Sequence, residues 1–378
     1  MPRPDLPAKY TPRHQAVPRR RRGRTALFVS LAVVLVLVLG AGGYVVSLMS
    51  TFSSKTQTID AGLGTRPVDE KELEGPRNIL LLGSDSRGDG NDLAAVKGED
   101  GLRSDTMMIV HIPEDREDVY IMSMVRDLYV EIPGHGQRKV NAALNLGGYP
   151  LVVETMEELI GAPIDNVVSV DFEGFSALTE ALGGVTVDNP NEFCTGHARP
   201  TCFEKGDIHL EGNDALRFVR ERKAFLEGDF QRVANQQLFI KAVMRQFLNT
   251  ETLSNPVRIY DIVDKFSEYL TVDDTLDSAT MVGLISTVKD VRTDDVHFFT
   301  IPTGPPDQVG GAEIITQDPE AMTALREALL SDDLRGFLED GDWTNAYGNP
   351  ITGGTSGTEA PSTPGSEAPA GDGTGVGE

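Results

Sequence analysis

NILLLGSDSR, residues 78–87, is the stretch on which the reading of this chain turns. Its apolar half is a short run bounded by turn-forming residues, the pattern of a strand buried on both faces. Its polar half, Ser84-Asp85-Ser86-Arg87, directly follows that strand. Working outward, MMIVHI at 107–112, VYIMSMV at 119–125, VVSV at 167–170, VTV at 185–187 and VHFFTI at 296–301 repeat the short apolar form. Interleaved with them, 151–161, 172–183, 232–248, 256–270 and 277–291 carry apolar residues at helical spacing. The alternation predicts an α/β fold, a mixed β-sheet flanked by helices.

Three charged motifs fall at strand ends. SDSR follows the first strand, Arg103-Ser104-Asp105 precedes the second, and Arg126-Asp127 follows the third. If the second strand runs antiparallel to its neighbours, all three meet at one edge of the sheet, where loops beyond strand ends usually carry the site. Guanidinium forks match phosphate oxygens in pairs at any working pH, and paired carboxylates hold Mg²⁺ or Mn²⁺ against a pyrophosphate. A further segment, RFVRERKAFLEGDFQRVANQQ at 217–237, adds Arg220, Arg222, Asp229, Arg232 and Gln236. Arg232 and Gln236 are four residues apart and share a helix face. Arg220 and Arg222 share a face only in an extended strand, and the sequence leaves their geometry open. Lys139 beside Asn141 reads either as a phosphate contact or as an exposed lysine. Plain structural readings stand beside the functional ones: Arg126-Asp127 as a surface ion pair, Asp105 as a cap at the start of a strand, and Asp229 as the N-cap of the following helix.

The ends of the chain have their own character. Residues 1–25 carry eight positive side chains against Asp5, and no charge interrupts residues 26–49. About 24 residues at a rise of 1.5 Å make a helix of roughly 36 Å, enough to cross a bilayer. Positive residues stay on the cytoplasmic side, so a single span with everything later outside the cell membrane is expected. The small residues at Gly40-Ala41-Gly42-Gly43 keep a cleaved signal peptide open as the alternative, although the apolar stretch is long for one. Residues 50–76 read as a polar stalk, 77–340 as one domain, and 341–378 as a disordered Gly/Pro/Ser/Thr-rich tail. The net charge of −24 already includes the head's eight positive side chains, so the rest of the chain is more acidic still, which argues against nucleic acid as a partner. Cys194 and Cys202 are the two cysteines. Outside a membrane they read as a disulfide. A zinc site with His197 and His209 is the formal alternative, at spacings that match no common zinc pattern.

Taken in order, NILLLGSDSR, RSDTMMIVHI, SMVRDLYVEIPG, KVNAALNLGG, VDFEGFSALTEALGGVTV, LRFVRER and GDFQRVANQQ resemble the LytR-CpsA-Psr proteins of Gram-positive envelopes, from about Asn78 to Leu248 and more weakly beyond. The resemblance implies that family's fold and a phosphotransferase that moves a glycopolymer from a polyprenyl-pyrophosphate carrier to peptidoglycan, leaving a phosphodiester link. It implies Mg²⁺ at Asp85 and Asp105, with Arg103, Arg126, Arg220, Arg222, Arg232 and Gln236 around the phosphates. Asp229 would be a catalytic or orienting carboxylate, with Arg87, Lys139 and Asn141 as further substrate contacts. A lipid-handling enzyme also needs an apolar groove, expected between the helices and opening beside Arg220 and Arg222. Residues 88–102 depart from shorter members and read as a surface loop or a lid. Two other functions fit the motifs: an anchored regulatory protein that holds the lipid without turnover, and a pyrophosphatase that uses water as acceptor. Replacing Asp85, Asp105 or Arg232 is expected to abolish turnover with little change in stability.

Overall fold

A computed structural model describes residues 42–63, 75–84, 104–196 and 200–352. Residues 42–55 are helical (α1) and Gln57–Ile59 is a short strand (β1). Among the described residues no helix is long and apolar enough to cross a membrane. Residues 26–41 of the expected span, the basic head, the 88–102 loop and residues 353–378 of the tail lie outside them.

A seven-stranded sheet organises the chain, in the order β1, β12 (Leu270–Asp273), β7 (Asn166–Asp171), β2 (Arg77–Ser84), β3 (Ser104–Ile112), β4 (Val119–Met124), β13 (Val296–Thr300). β3 is antiparallel to both of its neighbours, whereas β2 runs parallel to β7 and β4 parallel to β13. The antiparallel condition is therefore met. The ends of β2, β4 and β7 and the start of β3 share one edge, with Ser84 and Asp171 opposite each other in register.

One face of the sheet presents Leu80, Leu82, Met107, Ile109 and Met122. These are buried against α2 (Ala142–Ile160) and α9 (Pro319–Ser331) through Val152, Met156 and Leu325. α2 starts before the helix expected at 151 and is broken at Gly148, whose φ of 67° only glycine adopts readily, two residues ahead of Pro150. The hairpin β5 (Tyr129–Ile132) to β6 (Gly136–Lys139) leads into it. The other face is covered by α3 (Phe172–Ala181), α4 (Gly212–Arg220) and α5 (Asp229–Phe247). These helices build a second core of their own around Leu182, Phe218 and Phe239, closed by β8 (Val185–Asn189) and β11 (Gly206–Leu210). In the small hairpin of β9 (Phe193–Thr195) and β10 (Thr201–Phe203), Cys194 and Cys202 are register partners and form a disulfide.

α6 (Thr250–Leu253), α7 (Pro256–Phe266) and α8 (Ser278–Thr287) follow, then the hairpin β14 (Thr303–Val309) to β15 (Ala312–Gln317) and, after α9, α10 (Leu334–Asp340). Two boundaries differ from the expected ones. The polar stalk belongs in part to the domain, because Lys55 pairs with Asp264 at 2.6 Å, Phe52 packs beside Val272 and Leu284, and Ala61 is buried. Residues 341–352, expected in the tail, also dock: Ile351 is buried and its carbonyl accepts from Thr300 N–H, while Trp343 stacks on Phe337. In both cases a few apolar side chains anchor an otherwise polar segment.

Candidate functional site

α5 supplies the centre of the site. Asp229 opens this helix, yet Gly228 occupies the N-cap position and Asp229 is not a cap. Its Oδ2 instead accepts from the backbone N–H of Arg126, just past β4, at 2.7 Å. The carboxylate also pairs with Arg232, one turn along the helix. The two side chains are only 10 % and 4 % exposed, so this is a buried pair rather than a surface one. Burial pushes the Asp229 carboxyl up, against the opposing pull of Arg232 and the Arg126 N–H. One turn further on, the Gln236 amide donates to Thr106 Oγ1 at 2.9 Å and to the Val219 carbonyl at 3.3 Å. That ties α5 to β3 and to α4.

The arginines at 220 and 222 share neither a strand nor a helix. Arg220 is the last residue of α4, its guanidinium 4.1 Å from the centre of the Phe172 ring. The backbone then turns extended at Glu221, whose carboxylate accepts from the N–H groups of Arg222, Lys223 and Ala224. The side chain of Glu221 thus pins the turn that presents Arg222.

Between the sheet and α3, α4 and α5 lies a cavity of about 450 Å³. Leu81 and Met108 contribute from the strands, and Phe175, Leu178, Leu216, Phe239 and Val243 from the helices. Arg126, Arg220, Arg222, Arg232 and Gln236 line the same space, together with Gly83, Thr106 and Asp171 at the strand-end edge. The expected apolar groove beside Arg220 and Arg222 is present.

Other expected contacts lie elsewhere. Lys139 ends β6 and its ammonium bonds Asp127 at 2.9 Å, while Asn141 precedes α2, and neither lines the cavity. Arg126 also stands 3.8 Å from Asp127, so the plain ion-pair reading of that dipeptide is part of the picture. Asp85, Arg87 and Arg103 lie outside the described residues. Asp105 is in β3, where the register with β2 slips between Gly83 and Ser84 and leaves it the extra residue of a bulge. Sequence reasoning missed Asp171, Thr106 and Phe172. Asp171 ends β7 and caps α3, accepting from Gly174 N–H at 2.6 Å, and burial raises its carboxyl. An Asp between an apolar strand and a helix is a readable cap signal.

Among the described residues no group of three or more His, Cys, Asp or Glu is placed to hold a metal ion. One carboxylate of this edge is described: Asp171 ends β7 in register with Ser84, the last residue of β2, and its oxygens are of the hard donor type that a divalent cation takes.

The chain matches the LytR_cpsA_psr family over residues 43–330. It is 33% identical over 243 residues to TagU of Bacillus mycoides, a polyisoprenyl-teichoic acid–peptidoglycan teichoic acid transferase, covering 61% of this chain and 73% of that relative. To the transferase TagV of Bacillus subtilis it is 32% identical over 256 residues, 64% of this chain and 62% of that one. The crystal structure of B. subtilis TagV superposes with a TM-score of 0.58 at 27% identity, covering 69% of this chain and 98% of TagV.

Proposed function

The chain belongs to the LytR_cpsA_psr family, and we propose that it is a phosphotransferase moving a glycopolymer from a polyprenyl-pyrophosphate carrier onto peptidoglycan. The observation that carries this reading is that one cavity joins an apolar chamber to four arginines. A polyprenyl tail gains about 0.8 kcal/mol for each methylene it buries. Guanidinium forks take the phosphate oxygens beside it. TagU and TagV, its relatives, are named as transferases that join polyisoprenyl-linked teichoic acid to peptidoglycan.

In the step that this arrangement supports, an acceptor hydroxyl attacks the phosphorus nearer the glycan. The new phosphorus–oxygen bond forms as the bond to the bridging oxygen breaks, and polyprenyl phosphate leaves with the electron pair. The hydroxyl proton passes to Asp229, whose raised proton affinity suits a general base. Arg126, Arg220, Arg222 and Arg232 stabilise the charge that grows on the phosphate oxygens. Gln236, held by Thr106, keeps the first turns of α5 in register with the sheet edge. Asp85 and Asp105 would hold Mg²⁺ or Mn²⁺, which neutralises charge on the pyrophosphate when bound. The charge asymmetry of the sequence supports a basic head at 1–25 in the cytoplasm, a span at 26–49 and the domain outside, an arrangement that would keep a membrane-borne carrier within reach.

Full-length protein in detergent, given lipid-linked glycopolymer and peptidoglycan, is expected to release polyprenyl phosphate in a divalent-dependent manner and to leave the polymer covalently on the wall. Asp105→Ala should lose that release. A parent protein that binds the carrier lipid yet releases nothing would overturn the transferase reading in favour of a lipid-holding one.

A further inference from the structure

The wall beside the apolar cavity divides two ion pairs between its sides, although Asp171 stays on the arginine side. Arg126 and Arg232 line that cavity, whereas their acidic partners Asp127 and Asp229 line a second one of about 590 Å³. Arg222 lines both. The second cavity is enclosed by the turn after α4, the first residues of α5, the β14–β15 hairpin and Tyr347. Its size lies within the range of about 300–1,000 Å³ usual for small-ligand sites.

Its chemistry differs from that of the first cavity. Phe230 and Tyr347 meet edge to face, with ring centres 5.4 Å apart and Tyr347 half exposed. Around them stand Asp307 and Glu313 from the hairpin, both exposed, in addition to Asp127 and Asp229. Carboxylates only accept hydrogen bonds, so they select a partner rich in hydroxyl donors. An aromatic edge offers an amphipathic contact surface at little entropic cost. With Glu227 the carboxylates outnumber the two cations of the lining, Arg222 and Lys223, and that acidic excess disfavours an anionic donor on this side.

We propose that this second cleft is the acceptor subsite, seating a hydroxyl-rich glycan strand so that one hydroxyl reaches Asp229 from the carboxylate side of the wall. The pyrophosphate lies on the arginine side, and Arg222 stands where the two cavities adjoin. The hydroxyl oxygen then bonds to phosphorus, its proton goes to Asp229, and the bridging oxygen departs with polyprenyl phosphate. The catalytic part of this inference rests on the transferase reading. The ligand class of the cleft rests on its lining.

The test titrates a glycan-strand oligosaccharide stripped of stem peptides into full-length protein in detergent, alongside transfer kinetics. In both Tyr347→Ala and Glu313→Lys the oligosaccharide Kd should rise about tenfold. The acceptor KM should rise by a similar factor relative to the KM for lipid-linked donor. Glu313 is a surface position, so at least one of the two variants keeps the fold. Unaltered oligosaccharide affinity in both variants overturns the proposal, as does binding of free stem peptide in place of the glycan. If the parent releases no polyprenyl phosphate but binds the oligosaccharide in a Tyr347-dependent way, the glycan subsite stands and the transferase reading falls.

Discussion

On one face of the central sheet Leu80, Leu82, Met107 and Ile109 are buried against α2 and α9, while on the other Leu81 and Met108, their neighbours in the same strands, line a cavity of about 450 Å³. Alternation along a strand makes both faces apolar, so strand composition does not distinguish them. The helices do. α2 and α9 send Val152, Met156 and Leu325 directly onto the sheet and share one core with it. α3, α4 and α5 send much of their apolar surface into a separate core, with Phe175 and Phe239 in ring contact at 4.6 Å. α5 also reaches the sheet through Ile240 and Met244 beside Met108, and the first core through Phe230 and Val233. The polar first turns of α5, Arg232 and Gln236, then meet the sheet edge where apolar residues would otherwise seal it. A layer with its own core can stand off a sheet and leave a chamber open.

Arg232→Ala should give the largest departure on the open face. It strands Asp229 as a buried carboxylate without its cation, which typically costs about 3–5 kcal/mol of stability. It also removes a contact to developing charge, worth roughly 10²–10³ in rate. The burial of Arg232 revises the expectation that its loss would leave stability nearly unchanged. Thermal denaturation and polyprenyl-phosphate release read the two effects, and a variant as stable as the parent would mean that the wall admits water.

The next contrast lies within β2. Leu80→Ala on the closed face should cost about 2–5 kcal/mol in denaturant unfolding. Leu81→Ala should cost clearly less, because its side chain already borders a cavity, and should weaken retention of carrier lipid instead. Equal losses at the two positions would break the distinction between the faces.

A titration sharpens it further. Because burial raises the Asp229 carboxyl above the usual carboxylate range, the base form appears only as pH rises through that elevated value. Below it, transfer should fall about tenfold per pH unit. Asp229→Asn should abolish this acid limb along with most activity, and an unchanged limb in that variant would assign it to another group.

The smallest effect on stability is expected from filling the chamber. Val243→Trp should change stability by less than about 1 kcal/mol, whereas Val152→Trp on the closed face should cost about 1–3 kcal/mol through overpacking. Mass spectrometry of co-purified lipid should show its loss only in the Val243 variant.

Much of this was legible in order along the chain. The apolar runs at 78–83, 107–112, 119–125, 167–170 and 296–301 are all strands of the main sheet, because runs that short cannot bury themselves except between layers. Arg126, Arg220, Arg222, Arg232 and Gln236 do converge on one cavity. The helix at 319–331 went unread although Asp318 and Pro319 mark its start, Asp318 accepting from the N–H groups of Glu320 and Ala321. The helical start of α2 was hidden by Gly147, Gly148 and Pro150, which read locally as a break. Lys139 read either as a phosphate contact or as an exposed lysine, and β6 places it against Asp127, a pairing twelve residues apart that no local pattern carries.

By itself the sequence determined which residues could be buried, where strands and helices alternate, and that arginines and aspartates collect at strand ends. Periodicity and side-chain chemistry are local properties, and they survive without knowledge of neighbours. Only the tertiary structure decided that Asp229 answers Arg126 and Arg232 rather than capping a helix, that Asp171 joins the site, and that one face of the sheet is closed while the other holds a chamber. Each of those depends on which helix covers which face and at what distance. That is settled by packing between segments far apart in the chain, where α5 divides its apolar residues between the sheet and the neighbouring helices α3 and α4.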